Sequence, residues 1–534
     1  MLNYMNMKRT VIFLALVAVM LSVAGQSSDA VVRDKVTSAV MNVYDDHLAK
    51  NPNDYNVMFA RAHQHFYNGD YTSALADVNQ ALLLTPKTDK ELRFDEYILR
   101  ARISDARQDY AGELADLRLA QELQPKSLPC TDLIAKANLK AGNLDAAAKA
   151  FKTILRAESK NYDAMYGLAQ VEQARGNNKS ALEQVNKAVE LFRAEPQVYV
   201  NRSDIHARQG NITAAVQDLL IGMGVGDGGT SVQQLFELSD KNYNGVMDAL
   251  ATIADQNAAN SGLYRYLRAN IAVDHCHYSQ ALQDLNYIKR NHLYDSPNVD
   301  YHIAKCCLEL ARYDEALSHV DQAIAADSLQ PEFFLLKSLA EYYAGEGGNA
   351  GEAMETLNRC SLLNPQYVPM LLSKAALLVN QGQEKSALGY LNAAVANEPG
   401  DAQVLLSRAL VLKSLGYDKL ATRDLNTVAL MGDEPYDLKG LALNMLGRDN
   451  EAFRWLNKVT SSTVPGGENF YYAALFMAQR GDNYRAMDYL RKAVADGFGS
   501  LHRLQHDVLS PLNLKSLRSE PGFDLIVKEL GVRN

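Results

Sequence analysis

The stretch Ser180-Ala181-Leu182 contains the residue that decides the fold, because a small side chain recurs at the place of Ala181 along most of the chain. The series is Ala147, Ala181, Ala215, Ala281, Ala316, Ala353, Ala387, Ala421, Ala452 and Ala486. Five of its intervals are 34 residues, as from Ala147 to Ala181, and three others are 31, 35 and 37 residues. A period this regular predicts a tandem array of one structural unit.

Each unit has the pattern of two helices joined by a tight turn. A glycine usually precedes the small residue by about five places, as Gly176 precedes Ala181, and glycine readily ends a helix in the left-handed conformation. Apolar or small residues follow at helical spacing, as Val185 and Ala188 do. Several units end near a proline such as Pro365, which stops the second helix. The sequence therefore predicts an all-α protein.

This pattern resembles the tetratricopeptide-repeat (TPR) family, whose units carry a small residue at the eighth and twentieth places. The eighth place is filled by Ala62, Ala101, Ala135, Ala169, Ala269, Ala304, Ala375, Ala409 and Ala474. About thirteen units fit between Tyr55 and Ser500, although Glu113 replaces the small residue of the second unit and the family's early tryptophan is absent. The resemblance implies an α-solenoid, a right-handed superhelix whose inner groove is lined by the first helix of each pair.

The first residues are typical of an export signal. Lys8 and Arg9 precede an apolar run from Val11 to Ala24 that ends in small residues. The run is short for a retained membrane anchor, which needs roughly 20 apolar residues. No cysteine follows it, which argues against a lipoprotein anchor. We therefore expect a periplasmic or secreted protein with a cleaved signal peptide and no other membrane span.

The predicted organisation has six parts. They are the signal peptide (1–25), an N-terminal capping helix (26–54), a first TPR block (55–222), a glycine-rich junction with a degenerate repeat (223–260), a second TPR block (261–500) and a C-terminal capping segment (501–534).

Composition disfavours nucleic acid as a partner and leaves the pairing of the cysteines undecided. The 54 Lys and Arg residues against 63 Asp and Glu residues give a net charge of −9. Nucleic-acid binding is disfavoured because it needs an excess of cations. The five cysteines are an odd number and too sparse for a disulfide framework. Cys276 could pair with Cys306 or Cys307, but burial as free thiols is the favoured interpretation.

Three motifs are candidates for ligand binding. Gly224-Val-Gly226-Asp-Gly-Gly229 matches a dinucleotide motif but follows no predicted strand, which favours a plain loop. Oxygen donors at calcium-loop spacing form a weak calcium candidate, for which an inter-helix turn is the alternative. These donors are Asp240, Asn242, Asn244 and Asp248. A third cluster could bind a metal, although structural roles are favoured for its members. It comprises His275, Cys276, His277, His302, Cys306, Cys307 and His319.

Catalytic motifs are not found in the sequence. It has no H-E-x-x-H, no G-K-[ST] phosphate loop and no G-x-S-x-G elbow. No part of the chain outside the repeats is left over to hold an active site. We therefore expect neither an enzyme nor a bound cofactor.

The resemblance implies a groove that binds a protein or peptide partner. The family's groove places fall on Phe59, His63, Phe66, Tyr67, Arg102, Lys136, Lys140, Tyr166, Tyr266, Tyr301, Lys305, Tyr342, Tyr343 and Tyr471. Tyrosine and arginine are common interface anchors. The carboxylate clamp of the family's chaperone-binding members is not implied, since Phe59, Ile98 and Asp132 occupy its first place.

The expected function is a protein–protein interaction scaffold. The alternative is a glycan- or nutrient-binding envelope protein built on the same repeats. Sugar platforms favour exposed tryptophan, and this chain has only Trp455. The sequence identifies neither the partner nor the oligomeric state.

Overall fold

The computed structural model describes residues 41–226, 228–344, 349–431, 438–462, 465–505 and 514–533. These residues form helices and turns, and no strand occurs among them. The predicted signal peptide and the first part of the predicted capping helix lie outside the described residues. Within the described residues, no helix is both long and apolar enough to cross a lipid bilayer.

The chain divides into two compact units, the first ending at Leu238 and the second beginning at Ser239. In the first unit, α1 (41–50) is followed by five helix pairs. They are α2 (Tyr55–Tyr67) and α3 (Tyr71–Leu84), α4 (Lys90–Ala106) and α5 (Tyr110–Leu123), α6 (Leu128–Lys140) and α7 (Leu144–Ala157), α8 (Tyr162–Ala174) and α9 (Asn178–Leu191), and α10 (Pro196–Arg208) and α11 (Ile212–Val225).

The pair α12 (Gly228–Lys241) and α13 (Tyr243–Gln256) follows, and the division falls within α12. The remaining pairs are α14 (Ser261–Asp274) and α15 (Tyr278–Arg290), α16 (Pro297–Glu309) and α17 (Tyr313–Ala326), α18 (Pro331–Ala344) and α19 (Ala350–Leu363), α20 (Val368–Asn380) and α21 (Glu384–Asn397), α22 (Ala402–Ser414) and α23 (Asp418–Ala429), α24 (Lys439–Met445) and α25 (Asp449–Ser461), and α26 (Glu468–Gln479) and α27 (Asn483–Ala495). Two short helices, α28 (Leu501–Gln505) and α29 (Phe523–Arg533), and two 3₁₀ turns, Pro465–Gly467 and Lys515–Leu517, complete the described chain.

The described residues thus contain thirteen helix pairs, which confirms the predicted all-α solenoid. The small residues sit where the two helices of a pair meet, and Ala147, Ala181 and Ala387 are fully buried. The turn glycine between α8 and α9, Gly176, has φ +79°. The second pair has Gln108 in the same left-handed conformation, with φ +60°. The tight turn is therefore kept even where glycine is missing.

The glycine-rich stretch is mostly helical and not the loop that the sequence suggested. Helix α11 continues to Val225 and α12 begins at Gly228. A Cβ at Gly222 would lie 2.5 Å from the Ser231 hydroxyl oxygen, and one at Gly226 would lie 2.6 Å from the Pro196 ring. Gly222 and Gly226 thus allow neighbouring side chains to pack closely against the backbone. The predicted boundaries of the two blocks remain predictions.

Five helix pairs share an ion pair that we call the Arg–Asp clasp. An arginine of the first helix binds an aspartate of the second helix, sixteen residues later, through two hydrogen bonds. The clasps are Arg61–Asp77, Arg100–Asp116, Arg202–Asp218, Arg268–Asp284 and Arg408–Asp424. The aspartates are buried. Two parallel hydrogen bonds fix both the distance and the orientation of the paired helices.

Three of these arginines also reach back to the preceding pair. Arg100 Nη1 donates to Asn79 Oδ1 of α3 at 2.8 Å, and Arg202 Nη1 donates to Asn186 Oδ1 of α9 at 3.0 Å. Arg408 makes the equivalent bond to Asn392 of α21 at 3.2 Å. One guanidinium therefore joins three helices, two from its own pair and one from the pair before it.

The second unit is not an open array, because its last pairs contact its first ones. Ser500 Oγ donates to Glu309 Oε2 at 2.5 Å, and the Tyr313 hydroxyl lies 3.1 Å from His502 Nδ1. A Cβ at Gly499 would lie 2.0 Å from the Cys276 carbonyl oxygen. We call residues 497–503 the closing segment, since they bring the C-terminal pairs against α14–α18.

Candidate functional site

The first helix of the first pair presents a row of aromatic side chains. Phe59, His63 and Tyr67 lie four residues apart on α2, so they share one face of the helix. The Phe59 and His63 rings meet edge to face with centroids 4.7 Å apart, and His63 stacks on Tyr67 at 6.2 Å. Phe66 contacts Tyr67 at 5.8 Å. These four residues are the aromatic row, and Tyr67 at its end is 72% exposed.

The one titratable ring of the row near neutral pH, His63, is held in its uncharged form. Burial lowers the pKa of His63 below its usual value, and the positive charge of Arg102 on α4 lowers it further. Asp95 acts in the opposite direction but more weakly. His63 is therefore neutral at pH 7, while the exposed Arg102 places a cation beside the row.

The other predicted groove residues of the first unit are polar, and most of them form an ion pair or a hydrogen bond with a neighbouring side chain. Lys136 pairs with Asp132 at 2.6 Å, and Lys140 pairs with Asp105 at 2.5 Å. The Tyr166 hydroxyl donates to Asp204 at 2.9 Å. Burial, followed by the charge of Asp204, raises the pKa of Tyr166. Within the described residues, Arg102 differs from these two lysines in having no such carboxylate contact.

In the second unit the predicted groove tyrosines take part in internal packing. Tyr266 is buried, with its hydroxyl 3.1 Å from His302 Nδ1. Tyr301 stacks on Phe333 at 5.0 Å. Tyr471 is buried and stacks on Phe498 at 4.5 Å.

The remaining predicted groove residues of the second unit lie near the same contacts. The Tyr343 ring contacts His502 at 4.5 Å, and Tyr342 packs edge to face against Tyr343 at 5.0 Å. Lys305 is half-buried, and its charge lowers the pKa of Asp274 against the raising effect of burial. The closing segment thus contacts two of the predicted groove residues, Tyr343 and Tyr471.

Sequence reasoning missed the residues that hold the closing segment. Arg503 forms an ion pair with Glu468 and lies over the Tyr471 ring, 4.2 Å from its centroid. The Cys276 thiol contacts Glu468 Oε1 at 3.7 Å. These residues stand up to 192 positions apart, so the 34-residue period contains no sign of them. The only local signal is the pair of glycines that flank Phe498.

The five cysteines are free and buried. Burial raises the pKa of Cys276 and of Cys307 to about 12, and that of Cys360 to about 11. Thiols that stay protonated at neutral pH are poor nucleophiles and poor metal ligands. This arrangement agrees with the structural interpretation of these residues.

The calcium candidate is placed at a helix cap. Asn242 precedes α13, and its side chain accepts from the Gly245 backbone N–H at 3.1 Å. Asn244 and Asp248 belong to α13 itself, whereas Asp240 belongs to α12. The segment between the two helices is a single residue, which fits the turn alternative better than a twelve-residue calcium loop.

The histidines of the predicted metal cluster are engaged in several separate contacts. His302 Nδ1 lies 2.7 Å from the Asn298 carbonyl oxygen, and His319 Nδ1 lies 2.6 Å from Asp300. His275 Nε2 lies 3.2 Å from the Ser239 hydroxyl. Burial lowers the pKa of both His275 and His302 to about 4, so both are neutral at pH 7.

Comparison with known proteins identifies the repeat. A family model for the tetratricopeptide repeat matches residues 133–197 and 266–331. No curated protein matches the chain. Among solved structures, the APC/C hetero-tetramer Cut9–Hcn1 is similar at 13% identity and TM-score 0.33, covering 89% of this chain and 96% of that one.

Two further similar structures are shorter than this chain. The C-terminal part of a TPR repeat-containing protein from Cytophaga hutchinsonii has 16% identity and TM-score 0.33, covering 43% of this chain and 93% of its own. YrrB, described as a TPR protein with an unusual peptide-binding site, has 13% identity and TM-score 0.27, covering 36% and 96%. At these values the likenesses carry no argument about function. The family match therefore shows tetratricopeptide repeats at residues 133–197 and 266–331, and the thirteen described helix pairs have the same helix-turn-helix arrangement.

Proposed function

We propose that this protein is a non-catalytic scaffold that binds a polypeptide partner in the groove of its first unit. TPR folds are generally protein–protein interaction scaffolds. The observation that carries the assignment to the first unit is the aromatic row of α2, which ends in the exposed Tyr67 and has the cation of Arg102 near His63.

The chemistry of this surface specifies the kind of partner. Tyrosine and phenylalanine rings offer a large contact area and lose little conformational freedom on binding. Arg102 can bind a carboxylate through two hydrogen bonds. The surface therefore fits a peptide that places an apolar or aromatic side chain on the row and an acidic group at Arg102.

The second unit is a weaker candidate for the partner site. Tyr266, Tyr301 and Tyr471 are already covered by other residues of the same unit. A partner at Tyr471 would have to displace the closing segment and expose Arg503, which is in contact with Glu468 and Tyr471.

We further propose that the scaffold works outside the cytoplasm, in the periplasm or as a secreted protein. The support is the basic and apolar pattern of residues 8–24, which is typical of a signal peptide. Glycan binding is not favoured by the geometry, since Trp455 is buried and contacts Phe476 at 5.6 Å.

The proposal is tested by site-specific photocrosslinking in the native envelope fraction. A photoreactive phenylalanine derivative replaces Tyr67 in the full chain, and a matched variant carries it at Tyr484 of α27, which is 86% exposed. We expect a discrete crosslinked protein from position 67 alone. Adding Arg102→Ala to the Tyr67 variant should reduce its yield several-fold.

The control separates a binding site from general stickiness of exposed rings. Equal crosslinking from positions 67 and 484 would contradict a site on α2. If crosslinking persists undiminished with Arg102→Ala, the partner binds the aromatic row without an acidic group at Arg102.

A further inference from the structure

Three side chains of residue types that can bind a metal ion meet at the start of the second unit. Asp240 lies at the C-terminal end of α12, Asp274 is the last residue of α14, and His275 caps that helix. One ligand atom of each lies within 4.8 Å of the others. The imidazole of His275 is buried, whereas both aspartates reach the surface.

The spacing of the donors matches the size of a metal site. His275 Nε2 lies 3.3 Å from Asp240 Oδ1. Bonds of about 2.0–2.1 Å in tetrahedral geometry, as zinc makes to nitrogen and oxygen, place neighbouring ligand atoms about 3.3–3.4 Å apart. The imidazole and the Asp240 carboxylate therefore already stand at the separation of two ligands of one ion.

The surrounding field favours a cation at this point. The C-terminal ends of α12 and α14 converge here, and each carries the partial negative charge of unsatisfied carbonyl groups. Asp240 and Asp274 bring two carboxylates within 4.8 Å of each other at this point, and their negative charges repel unless a cation lies between them.

The state of the histidine suits ligation. His275 Nε2 faces Asp240 and Ser239, and a neutral imidazole that carries its proton on Nδ1 offers the Nε2 lone pair to a metal. The ring is held in place by Tyr243, whose centroid lies 4.6 Å away. Ser239 Oγ, 3.2 Å from Nε2, supplies a further oxygen at the same spot.

We propose that Asp240, Asp274 and His275 bind one divalent transition-metal ion of the zinc type. One imidazole nitrogen and two carboxylates form a mixed set that suits Zn²⁺, whereas Ca²⁺ and Mg²⁺ prefer oxygen ligands alone. The fourth position is open to water or to the Ser239 hydroxyl. This site is independent of the proposed partner groove, and it differs from the calcium candidate, with which it shares only Asp240.

The test is zinc titration of the purified full chain, without a histidine tag, against a chelating indicator. We expect one Zn²⁺ per chain and at least tenfold preference for Zn²⁺ over Ca²⁺ and Mg²⁺. Asp274→Asn should raise the Kd for Zn²⁺ at least tenfold, with unchanged circular dichroism. The matched control is Asp248→Asn, which alters the calcium candidate alone and should leave Zn²⁺ binding unchanged.

X-ray absorption at the zinc edge identifies the ligands even if a variant is unstable. The expected spectrum has one imidazole and otherwise oxygen ligands. Sulfur in the coordination shell would place the ion at a cysteine and overturn the proposal. The proposal would also fail if Asp274→Asn bound Zn²⁺ as tightly as the wild type, or if no Zn²⁺ bound at micromolar concentration.

Discussion

At the scale of single residues, the Arg–Asp clasps place a buried carboxylate inside five of the helix pairs. In the clasp of α22 and α23, both hydrogen bonds between Arg408 and Asp424 measure 2.7 Å. Asp424 is 4% exposed, so its charge depends on the guanidinium for compensation. A buried ion pair adds little over an apolar pair, but removing one partner leaves an uncompensated buried charge.

Arg408→Met should therefore destabilise the second unit by about 3–5 kcal/mol, as measured by urea denaturation followed by circular dichroism. The double variant Arg408→Met/Asp424→Leu should recover most of that loss, because no isolated charge remains. Arg359→Met in the same unit is the control, since both Arg359 and its partner Glu355 are exposed and the change should matter little. Equal losses for Arg408→Met and Arg359→Met would contradict a stabilising role for the clasp.

Glu113 is a second residue whose environment predicts a measurable effect. It occupies the place of a small residue in α5 and is only 5% exposed. Burial, together with the charge of Asp105, raises the pKa of Glu113 to about 7. The folded state therefore holds the proton more tightly than the unfolded state, and this group costs stability as the pH rises from about 4.5 through 7.

Glu113→Ala removes this cost and restores the small residue of the repeat. We expect the variant to be more stable than the wild type by roughly 1–3 kcal/mol at pH 8, with a smaller difference at pH 5. Urea denaturation at both pH values measures this. Glu183→Ala, at an exposed position of α9, is the control. If both variants show the same pH dependence as the wild type, Glu113 does not titrate as described.

At the scale of helices, the sequence was sufficient to predict the repeats but not all their contacts. The small residues, the turn glycines and the apolar stripe are local signals, and the structure places each as predicted. The clasp is local too, an arginine and an aspartate sixteen residues apart, and could have been found by searching for that spacing. The closing segment could not, because its contacts join residues such as Glu309 and Ser500 across 191 positions.

The contrast between local signals and long-range contacts also explains why the sequence did not show which predicted groove residues are covered by other parts of the chain. Register within a repeat predicts which side chains line the groove, as for Tyr301 and Tyr471. It does not say whether the inner face is open or covered by another part of the chain. The sequence therefore gives equal weight to both units, whereas Tyr266 and Tyr471 of the second unit are buried by other residues of that unit.

The element that closes the second unit tolerates little added volume. Gly499→Ala would bring a Cβ to 2.0 Å from the Cys276 carbonyl oxygen. We expect a loss of about 1–3 kcal/mol in stability, since the backbone must shift. Differential scanning calorimetry and amide hydrogen exchange in α28 measure the effect.

Gly389→Ala is the matched control with the opposite expected sign. This glycine lies in the exposed interior of α21, with open space around it. Alanine there should stabilise the helix by up to about 1 kcal/mol. If Gly499→Ala proved as harmless as Gly389→Ala, the closing segment would not pack as closely as described.

At the scale of the whole molecule, burial of every thiol has a simple chemical consequence. The folded chain should react with no equivalent of a thiol reagent within minutes, and the unfolded chain should react with five. A disulfide from Cys276 to Cys306 or Cys307 would leave three. The count after unfolding, in the absence of a reductant, therefore decides between free and paired cysteines.

The closure of the second unit also bears on how this protein can change through evolution. Open repeat arrays gain and lose whole units easily, since each unit contacts only its neighbours. Here a duplicated pair between α17 and α26 would carry Ser500 and His502 away from Glu309 and Tyr313. These contacts therefore constrain the number of repeats from α14 to α27. We expect repeats to be gained or lost outside this part of the chain.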